Sequence, residues 1–191
     1  LGMVDELTRR PPGVTLHEGD RLVLLGDDLA GPAPSLAGSQ VAWAAGHRGG
    51  ELPELDARAH TRLADLVRGL VAGGGLAGVH DASSGGLGVA LAELSVRSGV
   101  GVDVAVLDGT TRLFAEQPSR VVAAVAPAGL ADLLAAADAA GVPAVELGSA
   151  GGDRFRLGGP AEALVDVAVG DLTATWRDRL PDALGAGTTQ A

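Results

Sequence analysis

The residues best equipped for chemistry in this chain are His80, Asp81, Ser83 and Ser84, followed at once by the pair Gly85-Gly86. A histidine beside an aspartate can move protons, and hydroxyl and carboxylate oxygens can orient a ligand or its metal. Gly-Gly can take positive φ and admit a ligand close to the backbone, while the free N–H groups opening a helix suit an anion such as phosphate. The same residues also read as an ordinary capped helix start, with Asp81, Ser83 or Ser84 as the cap. Local chemistry leaves both readings open.

The elements that must position this loop lie on either side of it. Leu76-Ala77-Gly78-Val79 is short and apolar enough for a buried strand, and Leu87, Ala90, Leu91 and Leu94 recur at helical spacing after it. Two further segments carry polar residues of interest. Gly38-Ser39-Gln40 leads into a short apolar helix over Val41–Ala45, and Phe114-Ala115-Glu116 is followed by Arg120, which opens the strand-like run to Ala126. Arg120 can hold a phosphate or carboxylate. Its structural alternative is a salt bridge to Glu116.

Upstream, Arg21–Gly26 has the density of a buried strand, and Asp27–Gly38 is loop-like, broken by Gly31, Pro32, Pro34 and Gly38. Asp56 is placed to cap a helix carrying Leu63, Leu66, Val67 and Leu70, stopped by Gly73-Gly74-Gly75. Downstream, Val100–Leu107 sets Val102, Val104 and Val106 on one side of a strand, and Thr110–Glu116 is a short helix. A helix follows on Leu130, Leu133, Leu134 and Ala137, closed by Gly141. Then come strands at Pro143–Leu147, Arg154–Leu157 and Leu164–Val169, with Gly148–Gly152 as a turn. Asp171 is expected to cap a last helix with Leu172, Trp176 and Leu180 on one face, terminated by Pro181. The mixture predicts an α+β layered sandwich with a mixed sheet. Residues 15–184 form the domain, 1–14 read as a stub and linker from a preceding one, and 185–191 as a disordered tail.

Composition narrows the function. The chain has 191 residues, a formal net charge of −10 and no cysteine, and all 14 basic residues are arginine. That charge disfavours nucleic acid, which needs clustered cations, and the missing thiols exclude disulfides and thiolate metal sites. No run is apolar enough to cross a membrane. Aromatics are only 2%, so the core must be built from Ala, Val and Leu. The histidines His17, His47, His60 and His80 have no zinc spacing, and GxSxG, Walker and GxGxxG motifs are missing. Asp27-Asp28, and Asp65 with Arg62, read as solvated surface.

Several separated stretches together resemble one family. His80–Glu93, with Gly85-Gly86-Leu87 at its centre, is similar to the His-Asp-Val-Ser-Asp-Gly-Gly-Leu signature in the last synthetase domain of phosphoribosylformylglycinamidine synthases. Leu24-Leu25-Gly26 with Leu36–Gln40, and Phe114-Ala115-Glu116 with Ser119–Val122, resemble that family's flanking segments, as Val4–Arg9 resembles the strand closing its preceding domain. Ser84 replaces the usual Asp, Ala37 a Gly, Gln40 a Glu and Ala115 a Gly.

The resemblance implies the C-terminal fold of the aminoimidazole ribonucleotide synthetase superfamily, partly ferredoxin-like. It implies an ATP- and Mg-dependent ligase of purine biosynthesis in the cytoplasm, converting formylglycinamide ribonucleotide and glutamine-derived ammonia to the amidine. Its partners would be the upstream synthetase domains, a glutaminase subunit or domain, and a small accessory subunit. The family's catalytic residues belong upstream, so this chain is expected to be inactive alone and to bind ATP weakly. It would contribute the ligand loop, His80, Asp81, Ser83, Ser84, Gly85 and Gly86, and cleft contacts from Gly38, Ser39, Glu116 and Arg120. The competing readings are a selenophosphate synthetase, a thiamine monophosphate kinase, a hydrogenase maturation protein, or a noncatalytic ligand-binding or assembly domain.

Overall fold

The computed structural model describes residues 11–105, 109–159 and 163–185. Alternating apolar positions build its centre. In β1 (Arg21–Leu25), Leu22 and Leu24 face one side of the sheet while Val23 and Leu25 face the other, and all four are fully buried. β4 (Val121–Val125) repeats the pattern, with Val122 and Ala124 on the first side and Ala123 and Val125 on the second. A strand apolar on both faces requires cover on both.

That cover comes from helices. α2 (Ala57–Gly73) and α5 (Leu130–Ala139) place Leu63, Leu133 and Ala137 against Val23, Leu25 and Val125. α3 (Gly86–Ser98) lays Leu87, Ala90, Leu91 and Leu94 on the opposite face, joined by Leu113 of α4 (Thr110–Phe114) and Val169 of α6 (Val169–Ala183). The remaining strands are β2 (Gly78–Asp81), β3 (Val102–Val104), β5 (Ala144–Ala150), β6 (Arg154–Gly158) and β7 (Ala163–Ala168). The sheet order is β2-β4-β1-β5-β3-β6-β7, antiparallel except for the parallel pair β3 and β6. This is the expected α+β class with a mixed, layered sheet.

Local chemistry sets the helix ends that matter. The Asp56 carboxylate accepts the N–H groups of Arg58 and Ala59 at 2.9 and 3.0 Å, and Gly74 closes α2 in the left-handed conformation. Ser39 caps the short α1 (Gln40–Ala44), its Oγ accepting from the Ala42 N–H at 3.2 Å.

Several expectations need correction. The strand before the glycine loop is Gly78–Asp81, two residues later than 76–79, because pairing with β4 runs from Gly78 opposite Ala124 to Asp81 opposite Val121. Gly148 lies inside β5 instead of opening a turn, because it pairs with Leu22 on one side and Val104 on the other, and a Cβ there would strike the Asp103 carbonyl oxygen. Asp171 is in the first turn of α6 and caps nothing, as the helix already starts at Val169. Pro181 stands inside the last turn of α6 instead of terminating the helix ahead of it. Leu172, Trp176 and Leu180 share one face of α6 as expected; Leu172 packs on the core, while Trp176 and Leu180 are 53% and 66% exposed. Asp65 pairs with Arg68 in place of Arg62. The readings for Leu1–Arg9, Val106 and Leu107, and all of the 185–191 tail but Gly185, lie outside the described residues.

Candidate functional site

The glycine loop, the Ser39 segment and the Glu116 segment meet at one atom. Glu116 follows α4, and its Oε1 accepts the backbone N–H of Gly85 at 2.9 Å and that of Gln40 at 2.7 Å. One carboxylate oxygen therefore ties the start of α3 to the start of α1. The negative charge also sits at the positive end of α3, where a carboxylate is favourable. Asp81, Ser83 and Ser84, expected as possible caps, do not cap the helix: the N-cap position is Gly85, without a side-chain bond to the first turn.

Gly85 and Gly86 both have positive φ, 78° and 68°. The space beside them is taken by the protein itself. A Cβ on Gly86 would lie 2.8 Å from the carbonyl oxygens of Leu113 and Ala115, and one on Gly85 would collide with Val89. The close approach that the glycines permit is thus between α3 and the α4–Glu116 segment, not primarily between backbone and ligand. The Gly86 N–H bonds the Ser83 carbonyl at 3.0 Å, so the first two donors of the loop are engaged internally.

His80 and Asp81 close β2 ahead of this junction. The His80 Nε2 lies 2.6 Å from Glu93 Oε2 of α3, and its Nδ1 is 3.3 Å from Asp81 Oδ1, too poorly aligned to count as a hydrogen bond. The Ser83 hydroxyl donates to the Asp81 carboxylate and, with His80 beside it, holds that carboxyl below its usual range against a smaller opposing effect of partial burial. Asp81, Ser83 and Ser84 are exposed, while Gly85 and Gly86 are buried. Ser39 is 1% exposed and committed to its cap, so Gly38 is the outward residue of that pair.

Arg120 belongs elsewhere. Its Nη2 donates to the Ala115 carbonyl, not to Glu116, and its guanidinium borders a separate cleft with Asp27 and Arg112. Burial pushes its pKa down, and the Asp27 charge opposes that shift. The structure thus joins the Gly85-Gly86 turn and the segment Gly38-Ser39-Gln40 through Glu116, sets His80, Asp81, Ser83 and Ser84 just ahead of that junction, and turns the Arg120 guanidinium to the separate cleft. Sequence reasoning missed Glu93 and Asp27. Glu93 had a signal, being the one acid of α3; Asp27 had none beyond its place in a long Pro- and Gly-rich loop.

A model of the AIR synthase related protein, C-terminal domain, matches residues 17–158. The chain belongs to this family. The phosphoribosylformylglycinamidine synthase subunit PurL of a Nocardioides species is 38% identical over 187 residues, covering 97% of this chain and 24% of that protein. The PurL subunit of a Synechococcus species is 39% identical over 197 residues, covering 97% and 26%. This AIR synthase related domain therefore spans about a quarter of the length of the curated relatives it matches. Thermotoga maritima PurL complexed with FGAR has the same fold, with a TM-score of 0.72, 17% identity, and coverage of 85% of this chain and 29% of that one. Escherichia coli HypE, a hydrogenase maturation protein, shares the fold at a TM-score of 0.56 and 22% identity, over 83% and 51% of the two chains.

Proposed function

We propose that this domain forms part of phosphoribosylformylglycinamidine synthase, an ATP-dependent carbon–nitrogen ligase, and lines one wall of its substrate cleft. The observation that carries the reading is the Glu116 junction. The three segments resembling the ligase signatures lie far apart in the chain, yet one carboxylate joins them. The near-complete alignment with PurL subunits supports the same assignment. In the reaction, ATP activates the formamide oxygen of formylglycinamide ribonucleotide, and ammonia displaces phosphate to give the amidine, ADP and phosphate.

The residues of this domain suit a positioning wall more than a nucleotide or metal centre. Among the described residues no three His, Asp or Glu side chains converge as metal ligands, and the leading N–H groups of the glycine loop are engaged. We assign Mg and the triphosphate to the upstream synthetase domains. Asp81, Ser83 and Ser84, which face solvent, are the loop groups left for contact with substrate. A glutaminase and a small accessory subunit complete the enzyme in this reading, consistent with the PurLQS structure known for Thermotoga maritima. We place it in the cytoplasm; no helix among the described residues is long and apolar enough to cross a membrane.

The test compares this chain alone with a complete synthetase subunit that ends in it, each given formylglycinamide ribonucleotide, ATP, Mg and ammonium. Amidine should form only with the complete subunit. Turnover by the chain alone, or no amidine from the complete subunit, would remove the assignment. Calorimetry of the chain with ATP and Mg should show weak binding, and tight Mg-dependent binding would move the nucleotide site into this domain.

A further inference from the structure

Arg120 is the most deeply buried cation of the described residues, at 4% exposure, and it is under-satisfied. A guanidinium presents five N–H donors. Here Nη2 donates to the Ala115 carbonyl, while the enclosed Nε has no partner. Burying a charge with so few acceptors is costly unless something else supplies them. Asp27, whose charge reaches the guanidinium, has its Oδ1 engaged by the Leu29 N–H at 2.8 Å.

The space beside Arg120 is a cleft of about 520 Å³, within the range of small-molecule sites. Four prolines, Pro32, Pro34, Pro53 and Pro118, line it and stiffen its walls, so little ordering is needed on binding. Its charged lining is mixed. Arg112 joins Arg120, and its Nη2 holds the Gly31 carbonyl at 2.7 Å, while Asp27, Glu51 and Glu54 stand opposite in charge. A bare anion would be drawn to the guanidinium and opposed by three carboxylates. A ligand that adds amine, amide or hydroxyl donors would satisfy both.

We propose that this cleft binds a small oxyanion ligand, its carboxylate or phosphate seated on Arg120 and its hydrogen-bond donors turned toward Asp27, Glu51 and Glu54. Arginine suits the role because its guanidinium stays charged and carries donors beyond the one held by the Ala115 carbonyl. None of the glycine-loop residues 80–86 lines this cleft. It requires neither nucleotide nor the ligase reading, so it can fail or succeed without deciding that assignment.

The experiment is an NMR titration of the 191-residue chain, following the backbone amides of Gly31 and Gln117 in the cleft wall, and in the parent also the Arg120 Nε–H, with acetate, inorganic phosphate and β-alanine in separate arms. Acetate and phosphate distinguish the two oxyanions, and β-alanine adds an ammonium donor. The expected result is a saturable shift with at least one oxyanion, and tighter binding of β-alanine than of acetate by about threefold or more. Asp27→Asn keeps the acceptor for Leu29 but removes a like charge, so it should tighten acetate binding by about threefold or more. Arg120→Lys should weaken every arm; if it fails to fold, Asp27→Asn decides. Shifts that grow linearly without saturation in all arms would overturn the proposal, as would an acetate affinity unchanged by Asp27→Asn.

Discussion

Glu116 and Gly85 are 31 residues apart, yet the carboxylate of one accepts the N–H of the other at 2.9 Å while holding Gln40 at 2.7 Å. Removing that acceptor strands two loop donors at the junction. Glu116→Ala should lower stability by about 1–3 kcal/mol, the cost of leaving a donor without its acceptor. Glu116→Gln keeps an oxygen at the same reach and should recover most of the loss. Urea unfolding measures both, and amide exchange at Gly85 and Gln40 should accelerate in the alanine variant. Equal damage from both substitutions would mean that the charge at the α3 terminus, not the acceptor geometry, is what matters.

Gly86 is the tightest point of the same junction. Its φ of 68° disfavours a side chain, and a Cβ would lie 2.8 Å from two carbonyl oxygens of the α4 segment. The two penalties are of separate origin, strain at a left-handed residue and overpacking. Gly86→Ala should therefore cost about 2–4 kcal/mol in denaturant unfolding. Gly99, which also has positive φ but no atom near its would-be Cβ, is the control and should lose only the conformational part.

The contrast between these glycines marks where sequence reading succeeds. The apolar density of Arg21–Gly26 and the Asp56 cap are local patterns, and the structure has a buried strand at Arg21–Leu25 and a helix capped by Asp56. The register of β2 was not legible, because the strand ends opposite the first residue of its antiparallel partner β4, and Gly78 and Asp81 are poor strand residues without that partner. Gly148 was read as a turn for the same reason: the atom that requires a glycine belongs to Asp103, on another strand. The candidate loop was visible from its residue types. What it does locally was not, since the Gly85 N–H is held by a carboxylate 31 positions away and its histidine is held by Glu93.

The His80–Glu93 contact fixes a proton. A carboxylate can only accept, so at 2.6 Å from Glu93 Oε2 the His80 Nε2 must be the donor. Neutral His80 should therefore be the Nε2–H tautomer, leaving Nδ1 without a proton beside Asp81. Long-range nitrogen–proton correlation spectra of the ring distinguish the two tautomers directly. The Nδ1–H form would show that Glu93 is protonated or that Asp81 is the stronger partner. Glu93→Gln, which can donate instead, should shift the tautomer balance toward Nδ1–H.

Asp56 supplies a pH dependence whose sign can be worked out. The N–H groups of Ala59 and Arg58 favour the ionised carboxyl and hold its pKa below the usual value, with a smaller contribution from Arg62 and slight opposition from desolvation. A carboxyl depressed on folding contributes stability that is complete above its unfolded pKa and is lost as pH falls through the folded one. Asp56→Ala should therefore unfold at lower temperature than the parent near neutral pH, and the gap should narrow on acidification to about pH 3. Asn still caps a helix but does not titrate. Asp56→Asn should stay close to the parent at neutral pH and lose less stability in acid. Thermal unfolding of the three proteins across this range tests the argument, and a gap between parent and Asp56→Ala that widens in acid would reverse its sign.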